Sequence, residues 1–162
     1  MEQPTISINN NIHFKVIYLR FRGSYIKFRK QSKSMYERLL EYAEKNGLYV
    51  EGRNMVMTIY HDNPFITNSK DLRTSVAMSV PDEVTQIEDD EITLMTISGK
   101  YAIGRFNLKL TEYGNAWKYI YHEWLFKSDI KPRDSFPFEM YVTRPPRNYK
   151  DTSITDIYIP IE

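Results

Sequence analysis

Sliding the chain along itself constrains its fold more than any other property of the sequence, because a repeat of this length dictates the whole architecture. At an offset of 85, Arg20-Phe21 falls on Arg105-Phe106, Met35-Tyr36 on Ile120-Tyr121 and Leu39-Leu40 on Trp124-Leu125. At an offset of 81, Tyr60 falls on Tyr141, Pro64 on Pro145, Met78 on Ile159 and Val80 on Ile161. Both halves then read strand, helix, strand, strand. Pseudo-repeats over 12–81 and 92–162 within one domain spanning 1–162 are the expectation, since 162 residues suffice for one core and are few for two.

In the first half, Phe14 to Phe21 is rich in β-branched and aromatic residues and Gly23 breaks it. Met35, Tyr36, Leu39, Leu40 and Ala43 mark an amphipathic helix that Asn46-Gly47 ends. Strands at Met55 to Tyr60 and Thr74 to Val80 follow, joined through Asp62-Asn63-Pro64. The second half has a strand at Lys100 to Leu108, a helix over Ala116 to Phe126, and strands at Phe136 to Thr143 and Ile154 to Ile161. A further strand, Ile92 to Ile97, is expected to lead into it through a tight turn at Ser98-Gly99. About seven strands and two main helices make an α+β fold, the helices covering one face of a mostly antiparallel, curved sheet, with a central ligand cleft where the two modules meet.

Formal net charge is +1, which gives no global attraction to nucleic acid or to acidic membranes. The charge is segregated all the same: Lys15 to Lys33 carries seven bases and no acid, and Asp82 to Glu91 six acids and no base. There is no cysteine, so a disulfide scaffold and thiolate metal sites are excluded, and no stretch reads as a signal peptide or membrane span. The cytoplasm is the default compartment. His13, His61 and His122 lack ligand spacing, and no glycine-rich phosphate loop occurs, so neither metal nor cofactor is expected.

Aromatic residues are 14% of the chain, with 13 Tyr and 2 Trp, a composition suited to wet binding surfaces. Alternation over Phe136 to Thr143 puts Glu139, Tyr141 and Thr143 on one face, opposite Phe136, Phe138, Met140 and Val142. The equivalent strand places Thr58 and Tyr60 together. Folding the two copies together would turn Glu139, Tyr141, Thr58 and Tyr60 toward one surface, where a partly desolvated carboxylate favours a cationic ligand. A glutamate beside tyrosines on a half-exposed sheet is also a common solvated arrangement. Trp117, Tyr121 and Trp124 at helical spacing read as core, Trp117 being the one placed to overhang a groove. His61-Asp62 is no catalytic dyad, because neighbours on an extended segment point opposite ways; Asp62 instead suits a tie to Arg73.

Several segments together resemble the GyrI-like small-molecule-binding family. They are Leu19 to Tyr25, Tyr60 to Pro64 with Leu72-Arg73, Ser98 to Ala102, Trp117 to Leu125, Phe138 to Tyr141, and Thr155 to Ile161. The resemblance covers 12–162 and implies a duplicated strand-helix-strand-strand module of the SHS2 type, used as an AraC-type effector domain, a multidrug sensor or a stand-alone gyrase inhibitor. It further implies that Glu139 meets the positive charge of amphipathic, often cationic aromatic compounds, with Tyr113, Trp117, Tyr141, Tyr60, Leu108 and Tyr25 around it. Phe106-Asn107-Leu108 departs from the histidine-glycine turn of many relatives. Eleven residues before position 12 cannot hold a helix-turn-helix, so sequence-specific DNA binding by this chain is not expected, and any DNA-binding part would be separate. The same family resemblance leaves open a hydrolase of cyclopropanoid xenobiotics with Glu139 as acid or base, and a gyrase-binding inhibitor. Otherwise no catalytic residue is assigned.

Overall fold

The computed structural model describes residues 1–162. The chain divides into two compact units, residues 13–98 and residues 1–12 with 99–162. No helix is long and apolar enough to cross a membrane.

The 13–98 unit contains the later part of β1 (Thr5–Arg22), then α1 (Tyr25–Lys45), β2 (Val56–Tyr60) and β3 (Arg73–Ser79). β3 lies between β1 and β2, antiparallel to both, with Leu19 opposite Val76 and Val76 opposite Thr58. Residues opposite one another share a face, so Ile17, Leu19, Phe21, Val56, Thr58, Tyr60, Val76 and Met78 line one side. α1 covers that side and buries Phe28, Leu39 and Ala43 among Ile17, Leu19, Val76 and Met78. The Ser24 hydroxyl caps the helix by accepting the Lys27 N–H at 3.2 Å, and Gly47 at φ +68° ends it in the left-handed conformation. The apolar stripe predicts a start near Met35, yet α1 begins ten residues sooner, at Tyr25. Its first turns bury only Phe28 among lysines and arginines, so they carry too few apolar residues to show a helical period.

The other unit contains β4 (Thr93–Lys109) from Gly99 onward, α2 (Tyr113–Lys118), a π-helical stretch over Tyr119–Leu125, β5 (Phe138–Tyr141) and β6 (Thr152–Pro160). β6 is the middle strand: Gly104 lies opposite Ile157, and Ile157 opposite Glu139. Ala116, Ile120 and Leu125 pack on Ala102, Phe106, Leu108, Ile157 and Ile159. The five-residue step from Ile120 to Leu125, both fully buried, reflects the wider π turn, which the Phe126 N–H closes onto the Tyr121 carbonyl at 2.9 Å. The regular 116–126 α-helix expected from the sequence is therefore short, and Trp124 is only half-buried. On the opposite face Phe138 stacks on Tyr158 at 4.4 Å, and Tyr101 meets both rings edge-on.

Two expectations change here. The turn at Ser98-Gly99 does not form, and six strands replace seven, because β4 runs unbroken from Thr93 to Lys109. Gly99 takes φ +112°, which bends the strand without ending it, and the space a Cβ would fill is occupied by the Arg133 guanidinium, 2.7 Å away. Within each unit the elements follow the order strand, helix, strand, strand.

Gly104 sets how closely the helix approaches its sheet, since a Cβ there would lie 2.9 Å from Ile120 Cδ1 and 2.9 Å from the Phe106 ring. Gly104→Ala should lower stability to urea by about 1–3 kcal/mol through overpacking. Repeating the substitution in an Ile120→Val background, where Cδ1 is gone, should shrink the loss; equal losses in both backgrounds would mean that the helix contact is not the cause.

Candidate functional site

In the unit built on β4, β5 and β6, strand register decides where each candidate residue lies. Glu139 is opposite Ile157 and Tyr141 opposite Thr155, so both occupy the face that α2 covers. Glu139 is only 3% exposed. Tyr113, at the start of α2, reaches down to the same face, its hydroxyl 2.8 Å from Thr155 Oγ1. Burial raises the Tyr113 phenol above its ordinary range, and the negative charge of Glu139 adds to the effect. One turn along, Trp117 stacks on Tyr121 with centroids 6.3 Å apart. Leu108, opposite Ser153 in the ladder, is fully buried in the core beneath α2.

Thr155 and Ser153 belong to this group, though sequence reasoning passed over them. Both are buried, and Ser153 Oγ lies 3.1 Å from Thr143 Oγ1. Their signal was present in β6, where Ser153, Thr155, Ile157 and Ile159 alternate onto one face and the first two are polar. The face thus passes from apolar Ile157 and Ile159 to the buried hydroxyls of Thr155 and Ser153, with the buried Glu139 carboxylate beside them. It offers negative charge, hydrogen-bonding oxygens and aromatic surface. No group of three His, Cys, Asp or Glu residues stands together as a metal site.

The remaining candidates belong to the 13–98 unit. Thr58 and Tyr60 lie on the face covered by α1; Thr58 Oγ1 is 2.7 Å from the Tyr36 hydroxyl, and the Tyr60 ring meets Tyr25 edge-on at 5.7 Å. Burial raises the Tyr25 phenol, and the charge of Asp62 adds to the effect. Asp62 accepts Arg73 Nε at 2.9 Å, Arg73 Nη2 at 2.8 Å and the Arg73 backbone N–H at 2.8 Å, a clasp that closes the β2–β3 loop. His61 turns the other way and meets Ser75 Oγ at 2.6 Å through Nε2.

The model of the GyrI-like small molecule binding domain matches residues 4–162. A DNA gyrase inhibitor of Yersinia enterocolitica is 28% identical over 89 residues, 53% of this chain and 57% of that protein. Among solved structures, EcmrR in its complex with DNA matches with a TM-score of 0.75 at 16% identity over 98% of this chain and 57% of that one. SAV2435, solved bound to tetraphenylphosphonium, matches with a TM-score of 0.57 at 10% identity over 99% of this chain and 94% of that one. The two structural likenesses are of fold. The chain spans little more than half the length of the gyrase inhibitor and of the EcmrR chain.

Burial, followed by the charges of Arg20 and Arg73, holds the His61 imidazole down at about 4. The unfolded chain takes up this proton near pH 6.5 and the native one only near 4, so the stabilisation is complete above pH 6.5 and is lost as pH falls toward 4. The loss from this group is at most about 3 kcal/mol. Urea unfolding between pH 7 and 4.5 should show a steeper decline for the native sequence than for His61→Gln, and parallel profiles would exclude His61 as the titrating group.

Proposed function

This chain belongs to the GyrI-like small molecule binding domain family, and on that premise we propose that it captures amphipathic organic cations at the face around Glu139. The observation that carries the reading is a glutamate 3% exposed on a sheet face shared with Tyr141 and with Thr155, the residue that the Tyr113 hydroxyl meets at 2.8 Å. A negative charge withdrawn from water acts through a low effective dielectric, so it attracts a cation far more strongly than a surface carboxylate does. Tyr113, Trp117 and Tyr141 supply aromatic rings, and each face presented to a cation is worth about 0.5–2 kcal/mol. A few such contacts reach micromolar affinity without close shape matching, so the binding is promiscuous.

The similar fold of SAV2435, whose structure holds tetraphenylphosphonium, supports the same ligand chemistry. The role that follows is that of a sensor or a sequestering protein for such compounds. Glu139, Tyr141, Tyr113 and Trp117 carry the proposal, with Leu108 as part of the apolar floor beneath them.

Tetraphenylphosphonium and neutral triphenylphosphine oxide, titrated against the fluorescence of the two tryptophans, test the reading. Glu139→Gln should weaken the cation by about 1–3 kcal/mol, roughly 5- to 150-fold, and leave the neutral compound within about twofold. Equal losses for both ligands, in a variant whose circular dichroism and urea midpoint are native-like, would reject charge selection by Glu139.

A further inference from the structure

Beyond ligand capture, we infer that one end of the 13–98 unit, formed by the β2–β3 loop and the first turns of α1, is a docking face for an anionic lipid surface. Phe65 and Ile66, at the tip of that loop, are 91% and 84% exposed, and Ile26 on α1 is 66% exposed. Isolated exposed apolar side chains are ordinary, but an adjacent pair held out by a built turn is not. Asn63 Oδ1 accepts the Phe65 N–H at 2.9 Å, and the Asn63 carbonyl accepts the N–H of Ile66 at 3.2 Å and of Thr67 at 3.0 Å. The loop is fastened to the start of α1 as well. The Gly23 N–H donates to the Leu72 carbonyl at 2.8 Å, and Arg22 pairs with Asp71 at 3.0 Å.

Around this apolar tip bases outnumber acids. Lys27, Arg29, Lys30 and Lys33 are exposed on α1, which has no acid before Glu37, and Lys70 is exposed on the loop. Its two carboxylates offset little, since Asp71 is held by Arg22 and Asp62 by Arg73. Of the acids in the Asp82–Glu91 segment, Asp82 sits beside His13 and Lys15 and Asp89 beside Arg38, while Glu91 shares a groove with Arg20, Gln31 and Ser34. His13 and Arg22 are nine residues apart on β1, roughly 30 Å along the strand. A net charge of +1 for the whole chain conceals this separation.

A convex tip with two projecting apolar side chains and a basic surround fits insertion among acyl chains beneath anionic headgroups. Nucleic acid would satisfy the cations and leave Phe65 and Ile66 without an apolar environment. The lipid reading uses both features.

Sedimentation of the whole protein with vesicles tests it. Vesicles of about one part phosphatidylglycerol to three parts phosphatidylcholine should bind the protein at least about tenfold better than pure phosphatidylcholine, and raised salt should abolish the difference. Phe65→Ala/Ile66→Ala and, separately, Lys27→Glu/Lys30→Glu should each reduce partitioning about tenfold or more, while tetraphenylphosphonium affinity and the urea midpoint stay unchanged. Failure to sediment with the anionic vesicles, equal partitioning with and without phosphatidylglycerol, or indifference to the loop substitutions would overturn the proposal. So would retention by a short duplex DNA through the same lysines while vesicles are ignored.

Discussion

A helix laid across three antiparallel strands removes water from one face of the sheet, and the character of each unit follows from which residues face it. In the 13–98 unit α1 closes over Ile17, Leu19, Val76 and Met78; in the other unit the helical segment closes over Phe106, Leu108, Ile157 and Ile159. The second contact requires a glycine. Gly104 lets Ile120 approach the strand to a distance at which any larger residue would collide with it. Once that face is dry, every polar atom on it must find a partner or exert its charge on its neighbours.

Both units meet this requirement in the same manner. A tyrosine on the helical side reaches a threonine on the covered strand face, Tyr36 to Thr58 at 2.7 Å and Tyr113 to Thr155 at 2.8 Å. A phenol suits such a position because its ring adds apolar contact while its hydroxyl satisfies a strand hydroxyl. The units part company at the strand position that Thr58 itself holds. Where one places Thr58, the strand of the other places Glu139, and a neutral hydroxyl is replaced by a carboxylate that shifts the titration of Tyr113. That single difference makes one face electrostatically distinct from the other.

Charge in the 13–98 unit is organised along β1 and α1 in a way that composition hides. Acids gather by His13, Lys15 and Arg38, and bases by Arg22 and the first turns of α1. Structural ion pairs, above all the Asp62–Arg73 clasp, absorb the carboxylates of the β2–β3 loop and leave its lysine outward. The clasp closes a loop whose tip carries the exposed apolar residues Phe65 and Ile66.

Much of this was legible in the residues themselves. The two-residue period of a strand placed Glu139 with Tyr141 and Thr58 with Tyr60, and helical spacing marked Leu39 and Ala43 as the buried stripe of α1. Membership of the family was carried by short segments spread along the chain, and the model matching 4–162 agrees with it. Local sequence cannot say which face of a strand becomes dry, because that depends on where a helix distant in sequence comes to rest. So the burial of Glu139, the partnership of Tyr113 with a threonine 42 residues away, and the role of Ser153 and Thr155 were decided only by tertiary contacts. The same holds for Gly99: read alone, Ser98-Gly99 is a turn, but with Arg133 occupying the space a side chain would need it becomes a bend within one long strand.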